Sequence, residues 1–301
     1  MSQASSRRAV LYALGANTGI LIAKGAAAAV TGSSAMLAEA IHSAADCGTQ
    51  VLLLFGMKDA KRAADAKHPL GYGRAVYFWA FLVAVLLFTL GGMFSIYEGW
   101  HKLHQTEPMS NAGIAIGVLF VAIVLEAFSL AGCIREIRKV SGTRTLWQFF
   151  RTSRNSELIV ILGEDIAALA GLVFALAAIG IAVVTGNPVY DAIGSMAVGV
   201  LLVVVAILLS VEIKAMITGE SAEANTEDAM RAFLKARPEI AEIYNLISLQ
   251  IGDGIMLAVK ARMTETAGAT ALIDAINRVE SDLRAAFPAM QWCFFEPDNK
   301  N

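Results

Sequence analysis

Six stretches of about 20 predominantly apolar residues, the length that crosses a bilayer as a helix, occupy roughly 9–31, 35–57, 76–98, 112–134, 158–184 and 189–212. This feature leaves the chain few folds. In hydrocarbon every backbone N–H and C=O must find a partner within the segment, and a helix provides one. Composition points the same way. The 301 residues are 56% hydrophobic and 17% charged, against about 25% charged in an ordinary soluble domain. So few polar groups could hardly cover the surface of a soluble fold. The net charge of −2 argues against nucleic acid as a partner. Cys47, Cys133 and Cys293 are scattered and odd in number, so no disulfide framework or CxxC site follows.

The opening MSQASSRRAVLYALGAN resembles a signal peptide, but its apolar run exceeds signal-peptide length and has no fitting cleavage site. It reads as the first span, retained. TGSS joins spans one and two and TGNP joins five and six, which makes two helical hairpins. Basic residues are strongly asymmetric. Arg7 and Arg8 precede span one; Lys58, Lys61, Arg62, Lys67 and Arg74 follow span two. Arg135, Arg138, Lys139, Arg144, Arg151 and Arg154 follow span four. TGSS and TGNP carry none, and HKLHQTEPMSN carries only Lys102. The positive-inside rule then puts both termini in the cytoplasm. With no targeting sequence evident, the expected location is a bacterial inner membrane.

Residues 220–301 are polar and periodic, so the domains expected are a six-helix transmembrane domain, 1–215, and a cytoplasmic domain, 216–301. Asn225 or Thr226 can cap a helix over EDAMRAFLKA. EIYNLISLQI and IMLAVKARM alternate as strands around the hairpin signal Asp253-Gly254. ATALIDAINRVESDLRAAF has helical period, and MQWCFFEP reads as a last strand. The expected fold is therefore a membrane α-helical bundle of six transmembrane helices with a C-terminal α+β domain. That domain has α-β-β-α-β order (ferredoxin-like) and helices on one sheet face.

Ionisable groups inside spans are costly and mark sites. In AEAIHSAADCG, His42 and Asp46 are i,i+4 on one helix face, with Glu39 a further turn back. Imidazole nitrogen and carboxylate oxygen suit borderline divalent metals. One helix supplies two ligands, so a neighbour must supply the others. Span five offers Glu164 and Asp165 in ILGEDIAALAG. Adjacent helix positions diverge by about 100°, so one should ligate while the other faces a second helix or water; Asp165 is slightly favoured. The plain alternative, side chains that only hydrogen-bond within the bundle, is disfavoured for this pairing. Glu39 stands between a proton-path or supporting role and a structural one. Lys24 is read as structural rather than as a counter-ion. Glu126 and Asp191 are read as structural or supporting groups. Glu98, His101 and His104 in EGWHKLH have metal-like spacing, but an interfacial Trp-His-Lys belt is the better reading.

TGSSAMLAEAIHSAAD, KHPLGYGRAVYFW, IYEGWHKL and LLSVEIKAMITGESA together resemble the cation diffusion facilitator family, over nearly the whole chain. The resemblance implies a homodimeric, proton-driven exporter of divalent metal, most often zinc, with two ligands from span two and two from span five. His42 and Asp46 fall on the span-two pair. The familiar His-x-x-x-Asp of span five is replaced by Glu164 and Asp165, which resembles a sub-branch with an acidic pair there. One nitrogen among several carboxylates makes a harder site, open to Mn²⁺, Fe²⁺ or Co²⁺ as well as Zn²⁺. The family's loop site after span two is matched at Asp65 and His68, but Tyr72 stands where a second His would be, so loop shaping is the preferred role. The family's His-rich tail site cannot be present in its usual form, because the last of the four His is His104. Asp253, Glu296 and Asp298 read as a solvated face.

The mechanism expected from this resemblance is alternating access. Metal enters from the cytoplasm, binds neutral His42, Asp46 and the span-five acids with release of protons, and leaves outward as protons return. His42 titrates near neutrality by default. No nucleophile arrangement or GxxxxGK-S/T loop suggests an enzyme or ATP drive. The rivals are a metal-gated channel or sensor and a membrane scaffold that dimerises through its tail.

Overall fold

The structure, a computed structural model, describes residues 2–31, 34–104 and 112–300, without the side chains of residues 2, 3, 28, 31, 34–39, 41, 42 and 112. It divides into two compact units. The first comprises Met1–Asp59, Ala75–Arg151 and Asn155–Lys214; the second comprises Ala60–Arg74, Thr152–Arg154 and Ala215–Asn301.

The helices are α1 (Ser2–Thr31), α2 (Ser34–Asp59), α3 (Ala75–Leu86), α4 (Phe94–His104), α5 (Ala112–Ser141), α6 (Leu146–Thr152), α7 (Ser156–Thr185) and α8 (Val189–Thr218). A π-helical stretch, Leu87–Met93, joins α3 to α4. Each expected span lies within this set, and the short α6 was not anticipated. Among the described residues five helices are long and apolar enough to cross a membrane: Ala4–Ala27, Ala75–His104, Gly113–Ser141, Ser156–Thr185 and Val189–Thr218. They make the chain a multi-pass membrane protein. The helix α2, at 26 residues, has the length, but Glu39, His42, Asp46, Thr49 and Gln50 break its apolar run. Gly32 and Ser33 of TGSS, and residues 105–111 of HKLHQTEPMSN, lie outside the described residues.

In the first unit α1 packs on α2 and α5, α2 on α3, and α7 on α5 and α3. Local chemistry sets the ends of α7. The Asn155 side chain accepts the Leu158 amide at 3.0 Å as N-cap. Gly186, at φ 66°, takes the left-handed C-cap conformation just before Pro188 and α8. Every residue from Ser156 to Asp165 is buried. A helix stretch enclosed all round belongs to the protein interior, so Glu164 and Asp165 sit inside protein rather than against lipid.

The second unit carries α9 (Ala224–Lys235), β1 (Ile240–Ile251), β2 (Gly254–Met263), α10 (Ala269–Ala286) and β3 (Met290–Pro297). The sheet order is β1-β2-β3. Antiparallel β1 and β2 meet at a two-residue turn, with Ile251 opposite Gly254; β3 runs parallel to β2 after the α10 crossover. The turn is therefore Gly252-Asp253, one residue before the expected Asp253-Gly254, because Gly252 takes φ 59°. The α9 cap also differs: Glu223 is the N-cap and its carbonyl accepts the Thr226 amide at 2.8 Å, which leaves Asn225 and Thr226 inside the first turn. Met230, Leu234, Leu246, Ile255, Leu257, Val259, Val279, Leu283 and Met290 form the core on one sheet face. Alternation sends Ile247, Ala258 and Phe294, neighbours across the strands, to the opposite face. Ile247 and Phe294 are each 55% exposed.

Candidate metal site

The helical register of α2 puts Glu39, His42 and Asp46 on one face. The side chains of Glu39 and His42 lie outside the described residues. Asp46 is half-buried. One turn on, Thr49 and Gln50 are buried, and both point at α7. The Thr49 hydroxyl donates to Glu164 Oε1 at 2.7 Å and the Gln50 amide donates to Oε2 at 2.6 Å. Thr49 Oγ1 also lies 2.7 Å from the Asp46 carbonyl oxygen, so its one proton serves either acceptor.

The two adjacent acids of α7 diverge as helix geometry requires. Glu164 faces α2, the helix that carries Asp46. Asp165 faces α5, where the Ser129 hydroxyl donates to its Oδ2 at 3.1 Å. The slightly favoured Asp165 is thus the acid turned away from α2. Two further ionisable groups are enclosed: Lys24 on α1 is 6% exposed and Glu126 on α5 is 2% exposed. A snorkelling lysine would leave its ammonium at the interface; this one does not. Among the described residues no three His, Cys, Asp or Glu side chains stand close enough to hold one metal ion.

The accessory candidates are engaged elsewhere. Asp65 Oδ1 accepts the Lys67 amide at 2.9 Å and the His68 amide at 2.7 Å, and Oδ2 accepts the Tyr72 hydroxyl at 2.7 Å. The His68 ring packs on the Tyr72 ring, with centroids 4.2 Å apart, and the Arg62 guanidinium lies 4.0 Å from the Tyr72 ring centroid. These contacts shape a turn. Lys102 Nζ lies 3.2 Å from Glu98 and 3.5 Å from Asp191; His101 stacks on Tyr97, and His104 packs on Trp100. That is the arrangement of an interfacial belt. In the second unit Lys260 Nζ lies 2.9 Å from Asp298 and 3.9 Å from Glu296. The Lys260 hydrogen bond holds the Asp298 carboxyl below its ordinary value. Thr49, Gln50 and Ser129 were missed in the sequence. Their signal was polarity inside apolar runs, as in CGTQVLLLF and EAFSLAG.

The family model described as the cation efflux transmembrane domain matches residues 10–217. The chain is 32% identical over 251 residues to metal tolerance protein C4 of Arabidopsis thaliana, covering 83% of this chain and 55% of that protein. It is 34% identical over 225 residues to the mitochondrial proton-coupled zinc antiporter SLC30A9 of Xenopus laevis, covering 74% and 40%. It is 21% identical over 285 residues to the zinc transporter ZitB of Escherichia coli, covering 92% and 84%. The chain thus spans about half the length of the first two relatives.

Proposed function

The chain belongs to the cation diffusion facilitator (cation efflux) family of transporters, and on that premise we propose that it exports a divalent metal cation in exchange for protons. It is a transporter, not an enzyme. Zinc is the proposed cargo, since relatives at 34% and 21% identity are named as zinc transporters. His42, Asp46, Glu164 and Asp165 are the proposed site, reached alternately from the two sides.

The observation that carries this reading is the buried acid pair of α7, with Glu164 tied to α2 one turn beyond Asp46. Carboxyls enclosed at that depth are costly unless paired or metal-bound. Six spans, α2 included, complete the proposed membrane domain over residues 1–215. Residues 216–301 and both termini are proposed to lie in the cytoplasm of a bacterial inner membrane. The proposed assembly is a homodimer, supported by the uncovered apolar sheet face at Ile247 and Phe294. The oxygen-rich donor set supports a second reading, a preference for Mn²⁺, Fe²⁺ or Co²⁺.

The test is metal flux into sealed proteoliposomes under an imposed pH gradient, comparing wild type with Asp46→Ala and Asp165→Ala across Zn²⁺, Mn²⁺, Fe²⁺ and Co²⁺. Gradient-dependent flux that both substitutions abolish is expected, and its metal profile names the cargo. Flux indifferent to the gradient assigns a metal-gated channel. Flux untouched by Asp46→Ala removes the site.

A further inference from the structure

We propose that the side-chain carbonyl oxygen of Gln50, Oε1, is a further ligand of the transported cation. This rests on the reading of Asp46 and Glu164 as part of that cation's site. Gln50 lies one turn after Asp46 on α2, and the i,i+4 spacing puts both on one face of the helix. Its side chain is enclosed, with 0% of the residue exposed.

The Gln50 amide nitrogen donates to Glu164 Oε2 at 2.6 Å. An ionised carboxylate accepts and cannot donate, so the nitrogen of the amide must be the atom that faces it. The amide group is planar, and its oxygen therefore sits beside the nitrogen that Glu164 holds. Among the described residues that oxygen has no hydrogen-bond partner. Three other buried side-chain atoms share this state: Glu136 Oε2, Arg237 Nε and Glu239 Oε2. They belong to charged groups already in ion pairs, Glu136 with Lys139 and Arg237 with Glu239. Gln50 is neutral, so no ion pair compensates its orphaned oxygen.

A buried acceptor left without a donor is costly. The acceptors in this place are the Gln50 carbonyl oxygen and the Glu164 carboxylate beside it, with the Asp46 carboxylate one turn back along α2. A donor hydrogen satisfies one of them; a cation satisfies several at once. Carbonyl and carboxylate oxygens together suit hard cations such as Mn²⁺. This ligand therefore raises the affinity for Mn²⁺ more than that for Zn²⁺.

The experiment uses the full-length protein in detergent micelles, titrated separately with Mn²⁺ and Zn²⁺ by calorimetry at fixed pH. Gln50→Leu removes the oxygen. It is expected to weaken Mn²⁺ binding about tenfold and Zn²⁺ binding by less, and to change the Co²⁺ absorption spectrum of the loaded site, because a ligand is lost. Gln50→Glu keeps an oxygen in place but removes the hydrogen bond to Glu164. It is expected to bind Mn²⁺ at least as tightly as wild type. Loss of Mn²⁺ binding in Gln50→Glu would show that Gln50 serves only to hold Glu164, and overturns the proposal. Binding that is lost in Asp46→Asn but unchanged in Gln50→Leu overturns the role of Gln50 and leaves the site intact. Wild type that binds neither Mn²⁺ nor Zn²⁺ overturns the site itself. If Gln50→Leu does not fold, Gln50→Glu decides alone; failure of both to fold makes Gln50 structural and overturns the proposal too.

Discussion

Asp65 Oδ2 accepts the Tyr72 hydroxyl while Oδ1 accepts two backbone amides, and these donors pull the carboxyl down to about 2, with the Tyr72 hydroxyl the largest cause. A carboxylate depressed in the folded state lends stability that is complete above its unfolded value, about 4. That contribution fades as pH falls through about 2. The Asp65 contribution to the turn at residues 65–72 should therefore be lost only in strong acid. Tyr72→Phe should move the Asp65 midpoint upward, toward the ordinary carboxylate range, as followed by the carboxyl carbon in an NMR titration. A midpoint that stays put would assign the depression to the amides alone. The Tyr72 hydroxyl thus occupies the Asp65 oxygen that the two amides leave open.

Helices in a bilayer gain little from hydrophobic burial against one another, so they associate through close packing at small residues. The π-helical stretch and α8 do this at Gly92 and Gly199. A Cβ on Gly199 would lie 2.7 Å from the Gly92 carbonyl oxygen and 2.7 Å from the Ile96 amide nitrogen. Both neighbours are backbone, which cannot swing aside. Gly199→Ala should therefore force the helices apart and destabilise by about 1–3 kcal/mol. Gly180→Ala on α7, where a Cβ meets nothing within 4 Å, should instead be neutral or stabilise by up to about 1 kcal/mol. Thermal unfolding in micelles compares the two. Equal behaviour would mean that the glycine contact does not hold these helices together.

At the scale of the molecule, the two units bury their apolar surface differently. The helical unit leaves Phe78, Phe120, Phe128 and Val184 well exposed, as a lipid-facing surface requires. The second unit exposes Ile247 and Phe294 on a sheet face that α9 and α10 do not cover. That face is the proposed homodimer contact. If the proposed homodimer forms through it, the double substitution Ile247→Glu with Phe294→Glu should give a monomer where wild type is a dimer, as read by light scattering after size exclusion. The core at Leu257 and Val259, on the other face, should keep the unit folded. A dimer that survives would place its contacts in the helical unit.

Hydrophobic runs and alternation determined by themselves where helices and strands form, because those patterns report local burial. The α-β-β-α-β order and the strand MQWCFFEP, Met290–Pro297, were legible on that ground. So was the divergence of Glu164 and Asp165, which follows from helix geometry alone. Only the tertiary structure decided which way each acid turns: Glu164 to Thr49 and Gln50, more than a hundred residues away, and Asp165 to Ser129. It also enclosed Lys24 and Glu126, which isolated spans could as well have turned to an interface. A side chain's face is fixed by the helix it sits on, but what that face meets depends on packing between helices distant in the chain, and no local pattern encodes it.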